Sequence, residues 1–392
     1  MTGNENAGLA MPDYVPSPVP ATADRLIGTH YFPGWKPGAY RGWSVLPDYP
    51  ERKPVLGWYD ESNPEVTDWE IKWALEHGIG FFVYCWYREK ENAGKRVGVS
   101  DVRMGHAIHE GLFSCRYRDQ FRFAIMWENY GARGMIASIE DLDQNLVPFW
   151  VSEYFSKPFY LRLDGRPVLF VYHLDSLIEQ TGGLAGASRA VETIRRRVER
   201  EGLGEIMLLC EHREASRDFL QKASQCGFDA VFAYCWHADE RFPTIAQAFD
   251  KQMATMSTWK ESGALPFPAT ATVGWDPMPW SNENPDTPWL HPDKLTRWYS
   301  SPAEFRDLLC RIRAFADSFP VGSLTRSVLL LDNWNEWAEG HFISPHSGGG
   351  FGYLQAVRET FTERDNLPDY RTPGLLGLGP YGQMEPAQSG QK

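Results

Sequence analysis

Eight runs of apolar, β-branched and aromatic residues punctuate the chain. They are 26–32 (LIGTHYF), 79–87 (IGFFVYCWY), 121–128 (FRFAIMWE), 167–173 (PVLFVYH), 206–212 (IMLLCEH), 228–236 (FDAVFAYCW), 268–275 (PATATVGW) and 327–335 (SVLLLDNWN). Several are apolar at consecutive positions instead of alternating, the mark of strands buried on both faces and hence parallel. Helical patterns lie between them. Over 63–78, Asn63-Pro64 offers a cap followed by proline at the first helical position; Val66, Trp69 and Trp73 recur on one face, and Gly78 supplies the stop. Over 301–318, Ser301 and Glu304 form a capping box ahead of the stripe Phe305, Leu308, Leu309 and Ile312. Residues 185–202 and 352–364 predict two more helices. Eight strand-then-helix units predict an α/β fold, a (β/α)8 TIM barrel, as a single domain over 26–365 with elaborated βα loops. The Pro-rich residues 1–25 predict an extended N-terminal arm and 366–392 a C-terminal tail. A doubly wound sheet would call for a Gly-rich phosphate loop after the first strand; the chain has YFPGWKPG there.

A formal net charge of −12 argues against nucleic acid and against anionic membranes as partners. No run approaches the ~20 apolar residues of a membrane span. The six cysteines have no metal-ligand spacing and read as free thiols, three of them (Cys85, Cys210 and Cys235) inside apolar runs. No charged-then-apolar leader opens the chain, which gives a cytoplasmic expectation as written and a secreted or periplasmic one if a signal has been removed. Nothing in the sequence sets the oligomeric state.

In such barrels the chemistry sits at the C-terminal ends of the strands. Those ends carry Tyr31 and Trp35; Tyr84 and Trp86; Glu128 and Asn129; His173; Glu211; Tyr234 and Trp236; Trp275 and Asp276; and Asn333, Asn335, Glu336 and Glu339. His30, Tyr87, Tyr130, His212 and His237 lie beside them. Aromatic faces suit the C–H faces of a sugar ring, and carboxylates, amides and imidazoles suit its hydroxyls. A glycosidic bond needs two acidic groups in different protonation states. The spacing predicts no metal and no cofactor: there is no HxH and no Asp/His set at ligand spacing. Glu336 and Glu339, three apart, face opposite ways on an extended strand. They reach one mouth together if the chain bends after the strand, a bend that Gly340 can assist.

NWNEWAEG at 333–340 resembles the N-E-W-x-E-G signature of glycoside hydrolase family 99, the endo-α-mannosidase family, and of the related WbsX-like proteins, often labelled glycosyltransferases. YFPGW (31–35), GWYDESNPEVTDWEIKWALEHGIGFFVYCWY (57–87), FAIMWENY (123–130), LRLDGRPVLFVY (161–172) and FGYLQAVRE (351–359) are similar to WbsX-like segments in the same order. The resemblance covers about residues 26 to 360. It implies a (β/α)8 barrel and a metal-independent retaining hydrolase acting on a polysaccharide or glycan. It implies that Glu336 assists the substrate's own 2-hydroxyl in attacking the anomeric carbon, and that Glu339 is the general acid/base. The chain departs from the family in having Ser344-Pro345 where a Glu-Pro often follows, and in the glycine-rich stretch 346–352. Three function classes follow: a glycoside hydrolase, a transferase using an activated sugar, and a non-catalytic sugar-binding barrel. The chain lacks a Gly-rich phosphate loop and a clear D-x-D, which ranks the transferase second. A binding barrel has no need of both glutamates.

Overall fold

The computed structural model describes residues 14–38, 42–130, 136–283, 291–379 and 381. Eight parallel strands appear where the apolar runs predict them: β1 (Leu26–Tyr31), β2 (Phe81–Arg88), β3 (Arg122–Glu128), β4 (Arg166–Tyr172), β5 (Met207–Glu211), β6 (Ala230–Phe232), β7 (Ala269–Thr272) and β8 (Val328–Asp332). Their order in the sheet is β6-β5-β4-β3-β2-β1-β8-β7, so every ladder joins chain neighbours or closes β8 onto β1. The register runs Leu26 beside Val328 and Gly28 beside Phe81. Strands with helices packed outside and side chains filling the inside form a (β/α)8 barrel. Among the described residues no ladder joins β6 to β7. Three hydrogen bonds lie across that seam: Val231 N donates to Pro266 O (3.0 Å), Trp236 N to the Thr272 hydroxyl (2.8 Å) and the Trp236 indole to Thr270 O (3.1 Å).

The helices begin where the caps predict. Helix α1 (Pro64–Glu76) starts with the Asn63 side chain accepting from Glu65 N. Helix α2 is Leu184–Arg200, α3 Arg217–Cys226 and α4 Ile245–Ser262. Helix α5 (Pro302–Asp317) opens on the reciprocal Ser301–Glu304 capping box, and α6 (Gly352–Phe361) packs beside it. Three expected strands end more than one residue early: β6 stops at Phe232, and two others give way to hairpins. Residues 274–275 leave β7 to pair antiparallel with 298–299, and β8 stops at Asp332, after which 335–336 pair with 341–342. For these two the physical reason is shared: once clear of the barrel, the backbone finds local hairpin partners for its polar groups.

The described part of the arm is tied down. Ala21 N donates to Leu75 O, Asp24 N to Phe361 O, and Tyr14 to Asp68. The tail returns to the same side: the Asn366 amide donates to Val19 O and Glu76 O, and the Trp69 indole donates to the Tyr381 hydroxyl. Among the described residues no helix is long and apolar enough to cross a membrane.

Candidate active site

The bend after β8 answers the question posed by two glutamates three apart. Asn335–Glu336 and His341–Phe342 form a two-stranded antiparallel ribbon with Glu336 opposite His341, and residues 337–340 turn between them. Glu339 N and Gly340 N both point back to Glu336 O (3.2 and 3.0 Å). Gly340 has φ +73, and a Cβ there would lie within 2.9 Å of the Asp276 backbone. The left-handed conformation and the close approach both demand glycine. The turn delivers both carboxyls to one side, with a Glu336 oxygen, a Glu339 oxygen and a His341 nitrogen all within 4.8 Å of one another.

Each carboxyl has its own support. Tyr234 donates its hydroxyl to Glu336 Oε1 (2.8 Å) and accepts from Asn333 Nδ2 (2.8 Å). Burial pushes the Glu336 carboxyl well above the usual range, the Glu339 charge adds to this, and His341 and Tyr234 oppose it. Glu339 Oε2 meets His341 Nε2 at 3.0 Å, and His341 Nδ1 meets Asp332 Oδ1. His341 and Asp332 are both fully buried. Burial disfavours charge on His341, but Asp332 and Glu339 override it and raise the ring to about 10. The close trio invites a cation. However, both nitrogens of His341 are already committed to carboxylates, so the ring has no lone pair for one.

The rest of the motif is scaffolding. Trp334 and Tyr31 donate to the buried Glu70 (3.0 Å each). Asn335 accepts from Phe32 N, donates to Phe32 O and Glu61, and receives the Trp35 indole on its carbonyl (2.7 Å). Trp337 donates to Tyr59. These bonds lock the ribbon onto the loop after β1.

The pair opens into a cleft of about 970 Å³ at the C-terminal mouth. Phe32, Trp35, Tyr87, Tyr130, Tyr172, Trp275 and Trp280 wall it, with Glu128, His173, Glu211, Arg213 and His237 among its polar groups. Arg213 donates to Glu211 (2.8 Å), the Tyr172 hydroxyl (2.8 Å) and His237 Nε2 (3.0 Å). Burial, helped by the Arg213 and His341 charges, lowers His237 to about 3 and keeps it neutral.

A family model described as "Glycosyltransferase WbsX" matches residues 45–357, about four fifths of the sequence. The chain belongs to the WbsX glycosyltransferase family. It is similar to the "Uncharacterized protein WxcX" of Xanthomonas campestris pv. campestris (strain B100), 25% identical over 334 residues that cover 81% of this chain and 44% of that protein. This WbsX-family chain thus spans less than half the length of the curated relatives it matches. Among solved structures, it resembles the GH99 endo-alpha-mannosidase from Bacteroides thetaiotaomicron, with a TM-score of 0.58 and 16% identity. That match covers 86% of this chain and 97% of that one, and the likeness shows the shared barrel fold.

Of the residues that the sequence nominates in this WbsX-family barrel, the cleft gathers Trp35, Glu128, His173, Glu211, Tyr234, Trp275, Glu336 and Glu339. The others lie behind it. Tyr31 and Tyr84 are buried against each other (4.5 Å) on the helix side. Trp86 donates to Tyr154 and packs on Trp150, while Trp236 donates to Thr270 O and packs on Trp259 of α4. With both indoles fully enclosed, neither offers a face to a sugar. Asn129 accepts from His173 N, and Asn333 and Asn335 brace Tyr234 and the β1 loop. Asp276 takes Arg52 and Arg297 on its carboxylate and donates its N–H to Glu339 O (2.7 Å). Sequence reasoning missed Arg213, Tyr172, Trp280, Asp332 and His341, and it read Cys85 and Cys235 only as buried thiols although both line the cleft. A signal for Asp332 existed: an acid ends a strand of three leucines. One existed for His341 as well, two residues beyond a nominated acid.

Proposed function

We propose that this protein is a retaining glycoside hydrolase that cleaves a glycosidic bond in a polysaccharide or oligosaccharide. The observation that carries the reading is the carboxyl pair of Glu336 and Glu339. It is brought together at the mouth of the barrel, with oxygens within 4.8 Å, and opens into an aromatic-walled cleft. Retaining enzymes hold their carboxyls roughly 5–5.5 Å apart and inverting ones roughly 6.5–9.5 Å, to admit a water. The short separation therefore favours retention. The named activity of the structurally similar endo-alpha-mannosidase supports the same reaction class.

In the reading that the motif implies, Glu336 takes the proton of the substrate's 2-hydroxyl while that oxygen bonds to the anomeric carbon. The bond to the leaving oxygen breaks with its electron pair on oxygen, and Glu339 supplies the proton. Water then opens the 1,2-anhydro ring: it gives its proton to Glu339 and its oxygen to the anomeric carbon, and Glu336 returns the proton to the 2-oxygen. Burial suits Glu336 to this task, because a carboxylate with raised proton affinity is the stronger base toward a hydroxyl. Trp275 packs a ring face, and Glu128, His173 and Glu211 bond its hydroxyls.

The test is a glycan panel, with and without nucleotide sugars and EDTA, with the first-formed anomer followed by NMR. Hydrolysis that needs neither addition, gives the retained anomer first, and fails on a 2-deoxy substrate that still binds is the expected result. Turnover only with a nucleotide sugar would assign the cleft to transfer, the activity named in the family description. An inverted first product would leave Glu336 as a base for water.

A further inference from the structure

We propose that His341, gripped between Asp332 and Glu339, is a fixed imidazolium that serves as a positioning residue. It aims the Glu339 carboxyl into the cleft and stabilises the anion left when Glu339 has given its proton away. The proposal rests on the retaining-hydrolase reading for its catalytic half, but not for the charge of the ring.

The argument for the charge is one of hydrogen-bond inventory. Both ring nitrogens lie in hydrogen-bond reach of carboxyl oxygens, Nδ1 of Asp332 and Nε2 of Glu339. An ionised carboxylate only accepts, and a neutral imidazole has one N–H. With Glu339 ionised, serving two carboxylates takes two N–H groups and therefore a positive ring; with Glu339 carrying its proton, the same two N–H groups bond Asp332 and the carbonyl oxygen of the Glu339 acid. The ring is wholly enclosed, so water cannot replace either bond. Its pose is fixed from every side: Glu336 stands opposite it across the ribbon, and Tyr234 meets it edge-on at 5.9 Å. Trp275 covers it at 5.0 Å. The titratable groups facing it are Asp332 on β8, Glu336 and Glu339 on the ribbon and its turn, Tyr234 and His237 after β6, and His30 on β1. Burial holds both of those histidines neutral, at about 3, and the His341 charge adds to that effect. Asp332 and Glu339 are thus the charges that this cation balances.

For the chemistry the consequence is specific. When the bond to the leaving oxygen breaks, the proton of Glu339 moves to that oxygen and a carboxylate remains. An imidazolium already in place needs no reorganisation to receive it, which is the condition under which fixed charges act most strongly. The benefit applies only where the leaving group needs a proton.

Three measurements decide it. In protein labelled with 15N-histidine, the His341 signal, assigned by its absence in His341→Gln, should carry two N–H groups at pH 8, where an ordinary imidazole is neutral. A single N–H there overturns the proposal, whatever the substrate. In Asp332→Asn the ring should lose its second proton near or below the ordinary imidazole value, and an unchanged titration overturns the part given to Asp332. On substrates, His341→Gln should lose about 10²-fold or more in kcat on a natural linkage, should lose several-fold at most on the matching glycosyl fluoride, and should have its pH optimum shifted upward. Equal losses on both substrates with an unmoved optimum would mark a merely structural residue. Failure of the wild type to cleave any glycan would remove the hydrolase reading, and the first two measurements would still decide the ring's charge.

Discussion

Removing one hydroxyl, in Tyr234→Phe, tests how the cleft controls Glu336. The hydroxyl donates to Glu336 Oε1 and accepts from Asn333 Nδ2, both at 2.8 Å and both buried. A hydrogen bond to a charged group contributes ~1.5–3 kcal/mol. Burial already holds the Glu336 carboxyl well above its ordinary range, and Tyr234 is one of the few groups pulling it down. Without that donor the carboxylate form becomes harder to reach by about the same energy, which at ~1.4 kcal/mol per pH unit is roughly one to two units. The acid limb of kcat/KM should therefore move upward by that amount. Below the limb, activity should fall by about 10- to 150-fold, and it should recover toward the wild-type level as pH rises. The phenylalanine also strands the Asn333 amide, so urea denaturation should report a loss of ~1–3 kcal/mol. The assay is a pH series of kcat/KM on any glycan that the wild type cleaves, with the denaturation series beside it. An acid limb that stays in place, or a loss that persists undiminished at high pH, would refute the view that Tyr234 sets the ionisation of Glu336.

Glu339→Gln should abolish turnover of natural linkages, by about 10² to 10⁴-fold or more, while ligand titration reports near-normal binding; wild-type rates would remove the acid role. Trp275→Ala should weaken sugar binding, read as loss of the ligand-induced change in tryptophan fluorescence, and leave the fold intact. Trp86→Ala should do the reverse, costing ~3–5 kcal/mol of stability with no specific binding defect if the variant folds; equal effects from both would undo the assignment of the two indoles. Stability should peak near neutral pH for reasons of sign. Burial lowers His30 and His237 to about 3 and His77 and His212 to about 4, so the unfolded chain binds more protons below the ordinary value of 6.5, and stability is lost as pH falls through that window. His341 has the opposite sign: raised to about 10, it contributes stability that is lost as pH rises from 6.5 to about 10. Denaturation midpoints that are flat across both windows would contradict this.

The barrel was legible because its two signals, continuous apolar runs and capped helices, do not depend on which side of a strand a residue faces. The site does depend on it. The strings FFVYCWY and VFAYCWH share the letters Tyr-Cys-Trp, yet Tyr84 is buried in the wall and Tyr234 holds Glu336. Strand β2 runs on to Arg88, so alternation sends Cys85 and Tyr87 to the cleft and Trp86 to the helices, whereas β6 ends at Phe232 and the residues beyond it leave strand geometry. A rim defined by sequence alone cannot say where each strand stops, and one residue of error exchanges the two faces. Gly340 was readable for the opposite reason: a bend was required by the two glutamates, and glycine was the residue able to make it. His341 and Arg213 stayed hidden because their roles come from partners far away in sequence or across a turn, and no local period encodes those.

The seam between β6 and β7 has a consequence in motion. Free energies of local opening are lowest where the fewest backbone bonds must break together, and among the described residues these two strands share no ladder. Amide protons along the facing edges of β6 and β7 should therefore exchange with solvent before those of β2 and β3, whose ladder is the longest in the barrel. Tyr234, which holds Glu336, follows one side of the seam, and Trp275, which covers His341, follows the other. Each opening thus loosens the supports of both carboxyls at once. A chain of sugars lying across the cleft from Tyr234 to Trp275 would act as a staple, and its binding should register as slowed exchange along a strand edge that it never touches.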